Sequence, residues 1–145
     1  MDCAVSTALT VTEERLESLA PAWRALLERA GLSWPFLHPA WLDIWLKTSA
    51  AGRELLLLGV REGEELRGVA PLLRQGTELM LAGDSEICDY MDIVAAPGLH
   101  EAVLDAVLGY LTERDWQRLI LWGLRADSRT LACALASFRC ALTIA

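Results

Sequence analysis

Along the first third of the chain, the hydrophobic positions change from a strand period to a helix period. Residues 6–11 alternate between apolar and polar side chains, which predicts a β-strand. Apolar side chains then recur every three or four positions over residues 16–30, which predicts an amphipathic helix capped by Thr12. Pro21 predicts a kink in this helix or the start of a second one, and Gly31 predicts its end.

A segment rich in aromatic residues follows, with the sequence WPFLHPAWLDIW at residues 34–45. Pro39 suits the first turn of a helix, because the N–H that proline lacks would have no partner there. Trp41 and Trp45 are four positions apart and are expected on one face of that helix. We therefore expect a second helix here, joined to the first by an aromatic loop.

Two strand-sized apolar runs predict a β-hairpin. Residues 53–61 and 66–74 are separated by the sequence EGEE, whose glycine and acids are typical of a tight turn. Pro71 lies inside the second run and predicts an edge position or a bulge, because proline cannot donate a ladder hydrogen bond. Residues 77–83 predict a third strand.

The second half of the chain alternates strands with helices. Strands are predicted at residues 91–96, 117–124 and 140–145, an amphipathic helix at 99–114, and a last helix capped by Asp127 or Ser128. Hairpin strands followed by strand–helix–strand units predict an α/β protein with a mixed sheet and helices on both faces. The length of 145 residues is that of one domain.

The negative charge is concentrated in one segment. The net charge is −7; residues 75–113 hold eight acids and no lysine or arginine, whereas the rest of the chain holds twelve acids and thirteen bases. Nucleic acid is therefore not expected as a partner, because phosphate binding needs a basic surface. No apolar run approaches the roughly 20 residues that span a bilayer. The N-terminus lacks the basic start of a secretory signal, so a cytoplasmic location is expected.

The four cysteines give no sign of a metal site. Cys3, Cys88, Cys133 and Cys140 show no C-x-x-C spacing, and the chain has two histidines. Free cysteine is among the most buried residue types, so buried free thiols are expected.

The order of predicted elements resembles the GNAT fold of N-acetyltransferases. Four stretches resemble, in order, a narrower group with this fold, the CelD-like acyltransferases associated with cellulose biosynthesis: WPFLHPAWLDIW (34–45), LRGVAPLL (66–73), CDYMDIV (88–94) and WQRLILWGLRADS (116–128). The resemblance spans most of the chain. It implies transfer of an acyl group from acetyl-coenzyme A, or another acyl-coenzyme A, to an amine.

One stretch departs from the GNAT pattern. That fold usually binds the coenzyme A diphosphate through a Gln/Arg-x-x-Gly-x-Gly/Ala loop at a helix start, where backbone N–H groups hold the anion. If Gly98 is the first glycine of the loop, Ala95 stands in place of Gln or Arg, and His100 stands in place of the second small residue. The acidic segment would also repel the coenzyme. We therefore assign no cofactor-binding residue in this chain.

In the CelD-like and FemAB-like enzymes, two such domains commonly lie in tandem, and the second carries the cofactor loop. The resemblance thus implies that residues 1–145 are a single GNAT-like domain, the first of a pair, which supplies the acceptor-side or structural half of an N-acyltransferase. Two alternatives stay open: a non-catalytic interaction module with a degenerate GNAT fold, and a complete but divergent acetyltransferase. The expected partners are a small-molecule amine and either a second GNAT-like domain or another copy of the chain.

Asp89, Tyr90 and Asp92 are the main candidates for binding the substrate. Two carboxylates beside a phenol could hold a cationic amine by charge and by attraction to the ring face, and one carboxylate could act as its general base. The alternative is local: Asp89 caps a turn, Tyr90 packs in the core, and Asp92 bonds nearby backbone N–H groups. No catalytic residue is assigned.

His38 is the fourth candidate for substrate binding. A role in starting a helix or in packing is favoured for it, because it adjoins Pro39 and has no acid or nucleophile next to it in sequence. His100 is expected to be solvated on the polar face of its helix. Four aromatic residues could line an acyl pocket, although a core position is favoured for them: Trp34, Phe36, Trp41 and Trp45.

Overall fold

The computed structural model describes residues 8–49, 53–84 and 86–137. The elements are β1 (Thr10–Glu13), α1 (Leu16–Arg29), a 3-10 turn (Pro35–Leu37), α2 (Pro39–Ser49), β2 (Glu54–Glu62), β3 (Glu65–Gln75), β4 (Glu78–Leu81), β5 (Val94–Ala95), α3 (His100–Leu111), β6 (Arg118–Ile120) and α4 (Arg129–Ser137). Among these residues, no helix combines the length and the apolar character needed to cross a membrane.

The strands form one mixed sheet. Its order is β1-β2-β3-β4-β6, and β5 pairs with β3 on the same side as β4. All pairs are antiparallel except β4 with β6, which are parallel. The predicted hairpin is β2 and β3, whose pairing runs from Glu54 opposite Arg74 to Glu62 opposite Glu65. The mixed α/β architecture predicted from the sequence is thus confirmed.

The strands β4 and β5 are two parts of one interrupted strand. β4 pairs with residues 72–75 of β3, and β5 continues in the same direction opposite Gly68 and Val69. Residues 82–93, between β4 and β5, leave the sheet. This excursion contains all four acids of the sequence GDSEICDYMDIV, and it is called the 82–93 segment below.

Pro71 explains why the strand leaves the sheet at this point. The N–H of Ala82 donates to the carbonyl oxygen of Pro71 at 2.8 Å. In an antiparallel ladder the return bond would come from the N–H of residue 71, which proline lacks, so the pairing stops. The sequence predicted an edge position or a bulge for Pro71. Instead, it lies in a central strand and faces the gap between β4 and β5.

Two hydrophobic clusters cover the two faces of the sheet. In β2, Leu57 packs in the cluster that contains α1 and α2, whereas Leu58 packs in the cluster that contains α3. Val69 and Ala70 of β3 divide in the same way. Because successive side chains of a strand point to opposite faces, helices lie on both sides of the sheet, as predicted.

The start of α1 differs from the prediction. Of the predicted strand at 6–11, residues 6 and 7 lie outside the described residues, and β1 covers Thr10–Glu13. Thr12 lies within β1, paired with Gly59 of β2. Thr12 therefore cannot cap the helix, which follows Arg15. The helix then runs through Pro21 as one element, so no second helix begins at the proline.

The residue that terminates α1 is Gly31, as predicted. Gly31 has φ +68°, a left-handed conformation that glycine adopts without strain. Its N–H donates to the oxygen of Glu28 at 3.1 Å, and the N–H of Leu32 donates to the oxygen of Leu27 at 3.0 Å. This bond pair is the Schellman arrangement that closes many helices.

Two predicted strands are much shorter than expected. Of residues 91–96, Val94–Ala95 pair in the sheet, and of residues 117–124, Arg118–Ile120 do so. The N–H of Met91 donates instead to the oxygen of Gly123 at 2.9 Å. Residues that were predicted in these two strands but lie outside them thus hydrogen-bond to each other. The predicted strand at 140–145 lies outside the described residues.

The thiols within the described residues are free, as expected. Cys88 is buried and Cys133 is half-buried. Burial raises the pKa of the Cys88 thiol, which makes it a packing residue and a poor nucleophile. Cys3 and Cys140 lie outside the described part of the chain.

The helix α3 lies close against β3 at Gly68. A Cβ atom added at position 68 would stand 2.5 Å from Cγ1 of Val103, well inside van der Waals contact. Glycine is therefore required by the close approach of the helix to the sheet. This contact fixes α3 near its first residue, His100, where the candidate site begins.

Candidate functional site

The 82–93 segment is held between the sheet and the chain that follows β6. At its beginning, the indole N–H of Trp122 donates to the oxygen of Leu81 at 2.9 Å. Near its end, the N–H of Met91 donates to the oxygen of Gly123 at 2.9 Å. Gly123 has φ +73°, and a Cβ there would meet the backbone nitrogen of Met91 at 3.2 Å. The segment thus packs where the interrupted strand would otherwise continue.

Asp92 is the buried carboxylate of this segment, with 9% of its surface exposed. Its Oδ2 accepts a hydrogen bond from the hydroxyl of Ser128 at 2.8 Å, and its Oδ1 accepts one from the N–H of Ile93 at 2.7 Å. The side chain of Thr130 is a second side-chain partner, and its hydrogen bond lowers the pKa of Asp92. A buried carboxylate requires such partners, since burial of an unpaired charge is costly.

Two helices begin beside Asp92. Ser128 immediately precedes α4, and its Oγ accepts the N–H of Leu131 at 3.2 Å, as the predicted cap residue should. His100 is the first residue of α3, and its charge acts on Asp92. Because helix N-termini favour negative charge, Asp92 lies where the fold would also attract an external anion.

The pKa values of this pair are shifted by burial. Burial raises the pKa of Asp92, and the hydrogen bonds from Thr130, Ser128 and Ile93 oppose the rise. Burial lowers the pKa of His100; the charge of Asp92 opposes this effect and that of Arg129 adds to it. Both shifts favour the neutral form of the group. The prediction that His100 is solvated was therefore wrong, because the side chain is half-buried beside Asp92.

Asp89 and Tyr90 lie on the outer side of the 82–93 segment. Asp89 is exposed and Tyr90 is 44% exposed. Asp92 points instead into the protein, toward the helix starts. The three acceptor candidates therefore divide into an exposed pair and a buried carboxylate. The core position considered for Tyr90 is wrong, whereas the local hydrogen bond considered for Asp92 is present.

Tyr90 belongs to an aromatic cluster that the sequence did not indicate. The rings of Tyr90 and Trp34 have centroids 6.1 Å apart and planes tilted by 46°. The guanidinium carbon of Arg125 lies 4.9 Å from the Tyr90 centroid and 5.2 Å from that of Trp34. Asp127 accepts hydrogen bonds from Arg125 at 2.9 and 3.4 Å. A half-buried cation thus lies against two ring faces, with a carboxylate beside it.

His38 takes the helix-start role that the sequence favoured. Its Nδ1 accepts the N–H of Ala40 at 3.1 Å, in the first turn of α2. His38 follows the 3-10 turn that leads on from Trp34, so it anchors the loop that carries this aromatic ring.

The other aromatic candidates lie against the core. Trp45 is 3% exposed, and its ring stacks on that of Trp41 with centroids 6.1 Å apart, so the predicted shared face is present. Phe36 meets Trp41 edge-on at 5.4 Å. These contacts support the core position that was favoured over an acyl pocket.

The start of α3 does not fit the coenzyme A diphosphate that GNAT enzymes use. Gly98 has φ +80°, as a loop entering a helix often requires. However, the N–H of Ala96 already donates to the backbone oxygen of Arg67 at 2.7 Å. The N–H of Leu99 donates to the backbone oxygen of Ala96 at 3.0 Å. Pro97 has no N–H to offer.

The charges at this end of α3 are unfavourable as well. Asp92 lies at the helix start and Glu101 in its first turn. The positive charge of Arg129 would favour an anion here and acts on His100. However, Arg129 is exposed at the start of α4, so water screens its charge. A diphosphate needs a positive field as well as N–H donors, and the two carboxylates weaken that field.

Comparisons with known proteins agree with this fold. No family model matches the chain, and no curated protein matches it. Two solved structures resemble it over 95% of both chains: ribosomal-protein-alanine N-acetyltransferase from Brucella melitensis biovar Abortus 2308, with 17% identity and a TM-score of 0.54, and a possible acetyltransferase from Clostridium difficile 630, with 10% identity and a TM-score of 0.51. The chain therefore has the GNAT-like acetyltransferase fold.

Proposed function

We propose that this chain is the acceptor-side or structural half of an N-acyltransferase, which transfers an acyl group from acyl-coenzyme A to an amine. The acetyltransferase fold supports the reaction class, and function has to be argued from the site because one fold serves many functions. The observation that carries the proposal is the position of Asp92. Its carboxylate lies at the starts of α3 and α4, where an external diphosphate would need to approach.

In this proposal, a second GNAT-like domain binds the coenzyme, as the resemblance to the CelD-like enzymes implies. The present chain would be the first domain of the pair, located in the cytoplasm. Another copy of the chain is the alternative partner. Translation of the coding region that adjoins these 145 residues tests the arrangement. A neighbouring domain with a Gly-rich loop before a central helix would support it, and an immediate stop codon would contradict a tandem protein.

The amine is proposed to bind at Asp89 and Tyr90. Both are exposed, and a carboxylate beside a ring face suits a cationic group. Asp92 and His38 would support this surface from behind: Asp92 fixes the 82–93 segment, and His38 starts the helix after the Trp34 loop. The proposed acceptor surface is thus the outer side of the 82–93 segment, where Asp89 and Tyr90 are exposed.

Calorimetric titration of the isolated chain with acetyl-coenzyme A tests the division of labour. We expect no saturable heat of binding up to about 1 mM, which corresponds to a binding free energy weaker than about −4 kcal/mol. The Brucella acetyltransferase named above serves as the comparison protein under the same conditions. Saturable binding by this chain in the micromolar range would overturn the proposal.

A complete but divergent acetyltransferase is the second candidate. The favouring observation is that the similarity to each acetyltransferase structure spans 95% of that structure's chain. This candidate predicts that the isolated chain binds acetyl-coenzyme A. The same titration therefore separates the two proposals.

A further inference from the structure

We propose that Trp34 and Tyr90 form a binding site for a guanidinium group, and that Arg125 closes this site from within the chain. The two rings are tilted by 46°, with centroids 6.1 Å apart, and they form a wedge. The planar guanidinium of Arg125 lies about equally far from both rings, at 5.2 and 4.9 Å. The side chain of Arg125 thus shows that a guanidinium group fits between the two rings.

The wedge is built from three separate parts of the chain. Trp34 precedes the 3-10 turn, Tyr90 belongs to the 82–93 segment, and Arg125 with Asp127 follows β6. Asp127 completes the site with a carboxylate, whose two oxygens accept hydrogen bonds from Arg125 at 2.9 and 3.4 Å. Two ring faces and a carboxylate provide complementary contacts to the face and the edge of a guanidinium.

Arg125 is held weakly enough to be displaced. Its side chain is 37% exposed and that of Asp127 is 72% exposed, so water screens their ion pair. Cation–ring contacts at exposed sites are also weak. An external guanidinium would exchange one set of contacts for an equivalent one, and Arg125 would move into solvent.

Another arginine of the chain provides a contrast. The guanidinium carbon of Arg114 lies 3.8 Å from the ring centroid of Tyr110, on α3. Arg114 contacts this one ring and Glu113, whose carboxylate is 3.8 Å away. Arg114 is therefore a matched control: an exposed arginine on one ring, with no second ring beside it among the described residues.

This inference would name the acceptor class of the proposed acyl transfer, an amine that also carries a guanidinium, and on that point it rests on the proposed function. Asp89 adjoins Tyr90 in sequence and is exposed, so it could attract such a cation to the wedge. The binding site itself requires no coenzyme. Its failure in a binding experiment is therefore distinct from failure of the acetyl-coenzyme A titration.

NMR titration with butylguanidinium tests the site. In Arg125→Ala, we expect the dissociation constant to be about tenfold lower than in the wild-type chain, because removal of an internal competitor raises the fraction of open sites. The indole signal of Trp34 and the ring signals of Tyr90 should shift with the ligand. The variant Arg114→Ala should bind as the wild type does. Equal affinity in Arg125→Ala and wild type, in a variant whose spectrum is otherwise folded, would overturn the inference.

Two further measurements examine the wedge itself. The double variant Arg125→Ala/Tyr90→Ala should lose the tenfold gain, because one ring face is gone. Butylammonium should bind Arg125→Ala several-fold more weakly than butylguanidinium, since a compact ammonium does not match a planar wedge and two carboxylate oxygens. Equal binding of the two cations would contradict a guanidinium site.

Discussion

The hydroxyl of Ser128 joins Asp92 to the start of α4. It donates to Oδ2 of Asp92 at 2.8 Å across 36 residues of sequence, and its oxygen accepts the N–H of Leu131 at 3.2 Å. One side chain thus satisfies a buried carboxylate and caps a helix. This relationship couples the 82–93 segment to the last described helix.

Substitution Ser128→Ala is expected to lower the free energy of unfolding by about 2 kcal/mol, because a helix cap and a buried hydrogen bond are lost together. Urea denaturation measures the change. Ser33→Ala, at an exposed loop position, is the control and should stay within about 0.5 kcal/mol of wild type. A Ser128→Ala variant as stable as the control would show that the hydrogen bond to Asp92 contributes nothing.

The raised pKa of Asp92 predicts a pH dependence of stability. The folded protein binds this proton more tightly than the unfolded chain, whose Asp pKa is near 3.8. The contribution of Asp92 to the free energy of unfolding should therefore fall as pH rises from about 4 through the raised folded-state pKa, and then level off. Asp92→Asn cannot titrate. Urea unfolding of both proteins at a series of pH values should show the wild type losing stability relative to the variant; a constant difference would contradict the raised pKa.

The lowered pKa of His100 predicts the opposite sign. The unfolded chain binds this proton more tightly, near the ordinary pKa of 6.5. Stability from neutral His100 should therefore be present above about pH 6.5 and be lost as the pH falls below it. Comparison of His100→Gln with the wild type isolates this contribution, since glutamine has no charge to gain. His38→Gln is a matched control at the other histidine.

The close contact of Gly68 with Val103 predicts the cost of one added methyl group. Gly68→Ala should lower the free energy of unfolding by about 1–3 kcal/mol, because α3 must move away from β3. Gly109→Ala is the control within α3, where a Cβ meets nothing within 4 Å. It should raise stability by about 0.5–1 kcal/mol, because alanine is the better helix former.

A double-mutant cycle shows whether the Gly68 effect comes from this contact. In a Val103→Ala background, the cost of Gly68→Ala should shrink, since the smaller side chain leaves room for the added methyl group. Strictly additive free energies would place the strain elsewhere. Thermal or urea unfolding of the four proteins supplies the measurement.

Elements with local, regular patterns were well predicted from the sequence. The predicted helix at 99–114 is α3, His100–Leu111, and the predicted hairpin is the pair β2 and β3. Their periodicity reflects contacts with the nearby sheet or strand, and it therefore identifies the element without knowledge of distant partners. The two-sided sheet followed from the order of these elements.

The 82–93 segment could not be predicted in the same way. Its last residues looked like the start of a strand, but Met91 bonds to Gly123 and Asp92 to Ser128, both more than 30 residues away in sequence. The sequence did identify Ser128 as a candidate cap and Asp92 as a candidate site residue. It could not join them, because hydrophobic periodicity reports which face of an element is buried and not which distant side chain it meets.

The aromatic wedge was missed for a related reason. Trp34 and Tyr90 were each noted, but Arg125 lies 35 residues beyond Tyr90 and gave no signal of its own. A cation–ring contact has no period and no fixed spacing along the chain. In the structure, Asp89 and Tyr90 are exposed and Asp92 is buried. The sequence could not predict this difference, because exposure depends on the tertiary fold.

The long-range anchoring of the interrupted strand sets an order of events during synthesis. When the ribosome has released the chain as far as α3, the β2–β3 hairpin can already pair, but Gly123 and Ser128 have not emerged, so Met91 and Asp92 lack their partners. Closing so long a loop carries an entropic cost that local pairing avoids. The 82–93 segment therefore reaches its final position after the β2–β3 hairpin, once residues 123–128 have been synthesised.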